Sequence, residues 1–262
     1  MSFNRASASP ELAAALAAAD AADAVIAPMY RSNVAVEIKA DRTPVTEADR
    51  RAEAAIRAVL GARFPHYGFY GEEGGQQDMQ AECVWLVDPL DGTKSFVRDT
   101  PFFSTQIALM RRGELVLGVS SACVAGERAW AETGGGAWLN GERIHVSDRA
   151  AIADAILSTG NLRSLASGSQ WPAFGGLVRE VNRVRGYGDF VHYHLLARGA
   201  LDVVVESDVN ILDIAALAVI VREAGGRFTD LAGQDIDLLT SSVLASNGHL
   251  HQAVLDRIQF RR

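Results

Sequence analysis

The chain has 262 residues, with 25 Lys plus Arg, 32 Asp plus Glu and a formal net charge of −7. That length suits one large domain or two small ones with ample core, and 48% hydrophobic against 22% charged residues marks a globular chain, not a disordered one. The acidic balance excludes a general nucleic-acid binder, which needs a basic face, and two cysteines, Cys83 and Cys123, are too few for a disulfide framework or a Cys-rich zinc site.

Both thiols sit in apolar runs and are expected to be buried in a reducing compartment. The N-terminus has one early Arg and an Ala-rich stretch broken by Asp20 and Asp23, without the apolar core of a signal peptide. The longest strongly apolar run, Ile214–Val221, is far short of a membrane span. The expectation is a soluble, cytoplasmic protein with neither nucleic-acid nor membrane partners.

From Pro10 to about Tyr30, apolar residues recur at spacings of three and four (Leu12, Leu16, Ala19, Ala22, Ile26, Met29), which predicts an amphipathic helix. Thr46-Glu47-Ala48-Asp49 has the form of a capping box and opens a second helix with the stripe Ala52, Ile56, Val59, Leu60 and Phe64, ended by Pro65. The period then changes. Trp85–Val87, Thr105–Met110, Leu115–Ser120, Arg128–Glu132, Ala137–Leu139 and Arg143–Val146 read as strands, with turns at Arg111–Glu114 and Asn140-Gly141. Beyond them come a strand at Ala155–Ser158, a helix at Phe190–Arg198 and a strand at Leu201–Glu206. A helix at Asp213–Ala224 stops at Gly225-Gly226, then a strand at Val243–Ser246 precedes a helix at His249–Phe260. The predicted class is α/β (α+β), a single domain over 1–262. Its helix-plus-antiparallel-sheet half covers about 1–148 and its alternating half about 149–262.

The strongest chemical signal is Asp88-Pro89-Leu90-Asp91-Gly92-Thr93, placed after an apolar strand so that two carboxylates sit on a strand-end loop. Carboxylates converging there suit a hard cation such as Mg²⁺. Pro89 stiffens the loop, Gly92 permits a tight turn, and Thr93 adds a hydroxyl. A plain Asp-Gly turn is the bland alternative, and Gly71-Glu72-Glu73, a second acidic strand-end loop, weakens it. Phosphatases with an aspartate nucleophile carry Asp-x-Asp, whereas here the spacing is Asp-x-x-Asp, so a metal-activated water is the expected attacking group.

Taken with Thr43-Pro44-Val45-Thr46-Glu47-Ala48-Asp49 and Asp213-Ile214-Ala215-Ala216, these motifs resemble, in order and over nearly the whole chain, the inositol monophosphatase superfamily of Mg²⁺-dependent, lithium-sensitive phosphatases. The resemblance implies a layered αβαβα sandwich of the inositol monophosphatase and fructose-1,6-bisphosphatase type, commonly homodimeric, with the site between the halves. It implies that Glu72, Asp88 and the Leu90 carbonyl hold one Mg²⁺. Asp88, Asp91 and Asp213 hold a second, and Asp49 and Glu72 help a weaker third. Thr93, paired with Asp49, orients the attacking water, and the amides of Gly92 and Thr93 cradle the phosphate.

For the substrate, the family's usual Trp before the last ligand is Leu212 here, and Arg185-Gly186-Tyr187-Gly188-Asp189-Phe190 replaces its usual Gly-Ser/Thr-Ala-Ala loop. Gly-Asp-Phe and Asp88–Phe96 resemble the histidinol-phosphate phosphatase branch. Asp189 suits an ammonium or imidazole, or else simply caps a helix. Glu206, seven residues before Asp213, stands where the family contacts the leaving group, and Arg185 joins the substrate-binding candidates. Inositol 1-phosphate and adenosine 3′,5′-bisphosphate are the alternative small phosphate esters, the latter with Lys94 meeting its extra phosphate. A catalytically silent binding protein of the same fold is the contrasting class. His192 and His194, two apart on a helix, face different ways and are not joint ligands. His66, His145, His249 and His251 are expected to be surface or structural, Trp130, Trp138 and Trp171 to be packing residues, and Arg261-Arg262 to be no more than a short basic end.

Overall fold

The computed structural model describes residues 8–32, 35–38 and 44–259. Thr43, Phe260 and Arg261-Arg262, used above, lie outside them. In chain order the elements are α1 (Pro10–Met29), β1 (Val36–Ile38), β2 (Pro44–Thr46), α2 (Glu47–Arg63), β3 (Gly68–Gly71), β4 (Gly75–Gln77), β5 (Cys83–Asp91), α3 (Thr93–Val97), β6 (Ser104–Arg111), β7 (Glu114–Ala122), β8 (Glu127–Glu132), β9 (Gly136–Leu139) and β10 (Glu142–Ile144). There follow β11 (Ile156–Thr159), α4 (Arg163–Ser167), α5 (Trp171–Glu180), β12 (Arg183–Arg185), α6 (Asp189–Ala197), β13 (Val203–Ser207), α7 (Ile211–Glu223), β14 (Arg227–Thr229), β15 (Ser242–Ser246) and α8 (His251–Ile258).

Eight strands form one sheet in the order β10-β9-β8-β7-β6-β5-β3-β4, and five form a second in the order β12-β11-β13-β15-β14. The large sheet is antiparallel except where β3 runs parallel to β5. In the small sheet β11 is parallel to both its neighbours and β15 antiparallel to both of its own. Helices α1 and α2 cover one face of the large sheet, α6 and α7 lie between the sheets, and α5 and α8 cover the far face of the small one. The αβαβα sandwich expected from the resemblance is the observed architecture.

Alternation along the strands sorts side chains between the layers. On β5, Trp85 and Val87 enter the core under α1 and α2, whereas Val84 and Leu86 face α7. On β13, Val203 and Val205 face the outer helices and Val204 the middle layer. Helix α1 is long and apolar enough to cross a membrane by length and composition, a feature that the run Ile214–Val221 did not reveal. Its buried alanines and Leu12, Leu16 and Ile26 instead pack on α2 and the sheet. Its acids also dock on strand residues: Asp20 and Asp23 pair with Arg128, and Glu11 with Arg111.

Several expectations shift. Helix α7 starts at Ile211, because Asn210 rather than Asp213 is its N-cap. Helices α4 and α5 and strand β12 occupy a stretch that the sequence left unassigned. Trp171 is 41% exposed at the head of α5, against Phe174, so it is only a partial packing residue. Cys83 is buried as expected, but Cys123 is half-buried.

Candidate active site

Strand β5 does not end before the acidic motif. It continues through Asp91, and the motif is a bulge within it. Asp88 pairs with Gln106 and Asp91 with Ser104, so three steps along β5 oppose two along β6. In a regular strand residues three apart point to opposite faces. The extra residue restores the parity, so Asp88 and Asp91 share the face that looks at α7, while Leu90 enters the core under α1 and α2. Pro89, which has no N–H to lose, sits within the irregular step. The bulge's backbone groups find other partners: Thr105 Oγ1 donates to the Pro89 carbonyl at 2.8 Å, and the Leu90 amide to Asp88 Oδ1 at 2.9 Å. The expected strand-end loop is therefore a bulged strand end.

Asp213 meets this pair from α7. It is the third residue of a capping box: Asn210 Oδ1 accepts from the Leu212 amide at 3.0 Å, and Asp213 Oδ2 accepts from the Asn210 amide at 3.1 Å. Carboxylate oxygens of Asp88, Asp91 and Asp213 lie within 4.8 Å of one another. Burial, then Glu72, Asp213 and Asp91, pushes the Asp88 carboxyl well above the usual carboxylate range. Burial, then Asp189, Asp213, Glu206 and Glu72, does the same to Asp91. Asp213 is raised to about 7 by burial, with Glu72 and Glu206 adding to it against the bond from Asn210 and a hydrogen bond with the Asp88 carboxyl. Charges of one sign held this close in a buried site call for a counter-charge, and an all-oxygen donor set fits a hard divalent cation.

Glu72, half-buried after β3, belongs to the same field, since its charge acts on all three aspartates. Its amide donates to the Val87 carbonyl at 3.1 Å, extending the β3–β5 pairing by one residue. From α2, the expected capping box is present: Thr46 Oγ1 accepts from the Ala48 amide, and the Thr46 amide donates to Asp49 Oδ2 at 2.8 Å. Asp49 Oδ1 accepts from Thr93 Oγ1 at 2.9 Å, so the Thr93–Asp49 pairing is present. The Thr93 hydroxyl also lies 3.0 Å from the Leu90 carbonyl. Burial raises the Asp49 carboxyl, with the Thr46 and Thr93 bonds opposing it. Gly92 turns the chain into α3 at φ +89°, and a Cβ there would meet the Phe102 carbonyl at 2.6 Å, which reserves the position for glycine.

The second half supplies an acidic cleft of ≈ 250 Å³ lined by Thr159–Asn161, Gly186–Asp189 and Glu206. Asp189 is the first residue of α6 at φ +47°. Burial and Glu206 raise its carboxyl to about 6, with His192 and Lys94 opposing. No side-chain capping bond is made at this helix start, so the capping alternative for Asp189 does not describe it. Burial works against the charge on Glu206, yet His192, the Tyr193 hydroxyl at 2.8 Å and the Asn161 amide at 3.1 Å outweigh it and hold this carboxyl below its usual range.

Arg185, on the edge strand β12, donates from Nη1 to the Val184 carbonyl at 2.8 Å. His192 faces Ser158 and Glu206, whereas His194 lies between Glu127 and Ser120 of the large sheet, so the two do point apart. His251 is buried between Thr229 and Ser246, while His66, His145 and His249 are exposed. Asn210, Tyr193, Asn161 and Glu53 were missed. Only Asn210, three residues before Asp213, and Glu53, four after Asp49, carried a readable spacing.

The sequence profile of the inositol monophosphatase family matches residues 7–261. A histidinol-phosphatase of Mycobacterium tuberculosis is 42% identical, covering 95% of this chain and 97% of that one. An inositol-1-monophosphatase of Rhizobium meliloti is 36% identical over 87% of each. Among solved structures, the extragenic suppressor protein suhB of Bartonella henselae superposes with a TM-score of 0.88 at 30% identity, covering 96% of this chain and 99% of that one. With the acids of both halves gathered at one site and these relatives spanning its length, the chain belongs to the inositol monophosphatase family and is a phosphoric monoester hydrolase.

Proposed function

We propose that this phosphatase hydrolyses L-histidinol phosphate to L-histidinol and phosphate, a step of histidine biosynthesis. The observation that carries the reading is the cleft beside the carboxylate cluster, where Asp189 and Glu206 offer two acids to whatever is attached to the phosphate. A polyol hydroxyl can donate to these carboxylates too, but an ammonium and an imidazolium add opposite charge to the hydrogen bonds they give, which a neutral polyol does not. The histidinol-phosphatase relative supports the same choice.

In this reading Asp88, Asp91, Asp213, Glu72 and the Leu90 carbonyl hold two or three Mg²⁺ ions. Bound Mg²⁺ supplies Lewis acidity, which offsets phosphate charge and makes a nearby water a better nucleophile. The chain's own groups do the rest. Thr93 Oγ1 gives its proton to Asp49 Oδ1 and offers its lone pair to the proton of the attacking water. The raised Asp49 carboxyl is suited to hold that proton. The Gly92 and Thr93 amides, at the turn into α3, receive the phosphate oxygens, and Asp189 and Glu206 hold the leaving alcohol's cationic groups.

The test is phosphate release, with and without Mg²⁺, from histidinol phosphate, inositol 1-phosphate, adenosine 3′,5′-bisphosphate and fructose 1,6-bisphosphate. The highest kcat/KM is expected for histidinol phosphate. Asp189→Ala should raise KM for that ester by about tenfold, the worth of one charge-assisted bond, and leave KM for inositol 1-phosphate nearly unchanged. Preference for inositol 1-phosphate by the wild type, or an equal effect of the variant on both esters, would reject the assignment.

A further inference from the structure

Helix α2 presents Asp49, Glu53 and Arg57 at successive i, i+4 positions, hence on one face. Asp49 serves the site directly. Glu53 does not: it is 4% exposed, and both its oxygens are engaged by backbone. Oε2 accepts from the Glu73 amide and Oε1 from the Gly74 amide, each at 2.8 Å. These two amides follow Glu72 immediately in the turn between β3 and β4. On its other side, Glu72 is tied through its own amide to Val87 of β5, one residue before Asp88. Glu72 is thus held between the strand that carries the aspartates and a buried carboxylate of α2.

The fit around Glu53 is close. A Cβ on Gly71 would lie 2.5 Å from Glu53 Oε2, and one on Gly74 2.5 Å from Oε1, so glycine on either side of the turn lets the carboxylate reach the amides. Arg57 backs the arrangement. Its Nη2 is 3.6 Å from Glu53 Oε1, its Nη1 donates to Gln77 Oε1 of β4 at 3.0 Å, and its guanidinium lies 3.9 Å from the centre of the Phe69 ring on β3. Two parallel bonds from backbone amides to one ionised carboxylate fix position as well as energy. An acid buried solely for packing would be costly here.

We infer that Glu53 is a positioning residue that sets the Glu72 carboxylate for the divalent cation by clamping the turn at Glu73 and Gly74. The inference rests on the phosphatase reading for its cation. The tests are Glu53→Gln, which keeps size but puts an amide NH₂ against a backbone N–H, and Glu53→Ala, which removes both acceptors. Amide hydrogen exchange in metal-free protein should quicken at Glu73 and Gly74 in both variants. Mg²⁺ affinity by calorimetry should weaken by about 10- to 100-fold, the range for groups that orient metal ligands, while KM at saturating Mg²⁺ stays near wild type. In a Glu72→Ala background, Glu53→Gln should cost no further Mg²⁺ affinity, because its effect passes through Glu72.

Unchanged exchange at the two amides, wild-type Mg²⁺ affinity in the folded Gln variant, or a full additional loss in the Glu72→Ala background would each overturn the inference. Failure of the phosphatase reading is a separate result: the wild type would release no phosphate from any ester with Mg²⁺, while exchange and calorimetry still decide the role of Glu53.

Discussion

Asp213 carries two demands with one side chain. Its Oδ2 closes the capping box with Asn210, and its charge faces Asp88 and Asp91. The helix start tolerates a carboxylate through the amides and dipole gathered there, but burial and neighbouring acids oppose its charge. Asp213→Asn separates the two roles, since the amide oxygen can still accept from Asn210. Mg²⁺-dependent phosphate release should be abolished. In EDTA at pH 7.5 the variant should melt higher than the wild type, by about 2–4 °C if relieved repulsion is worth about 1 kcal/mol. Phosphate assay and thermal melting check both arms, and a lower melting point in EDTA would show that the cap, not the repulsion, dominates. At this scale the sequence was legible for Asp88, Asp91, Thr93 and Asp213, because each stands in a short motif. It was silent on Tyr193 and Asn161, whose roles arise from the distant Glu206.

The decisive element is the bulge in β5. Asp-x-x-Asp would split two carboxylates across a regular strand, and the extra residue is what brings them to one face. The sequence offered Pro89 and Gly92 as hints of irregularity, and these read as a loop because pairing with β6 is not visible locally. Helix α7 must then approach closely enough to add Asp213, and Gly118 of β7 allows it: a Cβ there would lie 2.2 Å from the Ala216 carbonyl. Gly118→Ala is expected to destabilise the fold by about 1–3 kcal/mol, as overpacking against rigid backbone does. It should also weaken Mg²⁺ binding, because α7 carries Asp213. Melting and Mg²⁺ titration check this, and wild-type Mg²⁺ affinity in the variant would uncouple the helix approach from the site. Helices α4 and α5 escaped the sequence reading for a related reason. Ser164, Ser167, Gly168 and Ser169 look like a loop until Leu165, Phe174 and Leu177 are seen against the small sheet.

Across the whole molecule, acids from the two halves meet: Asp49, Glu72, Asp88 and Asp91 from elements at or beside the large sheet, and Asp189, Glu206 and Asp213 from beyond it. Such a site links stability to pH. Asp213 and Asp189 have folded values of about 7 and about 6 against an ordinary 3.8, so the native state binds more protons than the unfolded chain between those limits. Their contribution is fully present below about pH 4 and is lost as pH rises through 6 and 7. Metal-free protein should therefore lose melting temperature between pH 5 and 8 in EDTA, and the rise produced by Mg²⁺ should grow over the same interval. A Mg²⁺-induced shift independent of pH would contradict this linkage.

The sequence by itself determined the acidic motifs, the periods of the main helices and strands, and the order of motifs that marks the family, because each motif and each period is set by neighbours within about one helical turn or one strand. It also set the net charge of −7, with acid enough for the cluster of Asp88, Asp91 and Asp213. Tertiary structure decided the rest. Register against β6 turned a three-residue spacing into one shared face. Burial raised the aspartates, α2 lent Glu53 to the turn that carries Glu72, and Arg185 was left bonded to its own strand. Those outcomes depend on contacts between residues far apart in the chain, and no local pattern encodes the dielectric or the partner that a side chain meets once the layers close.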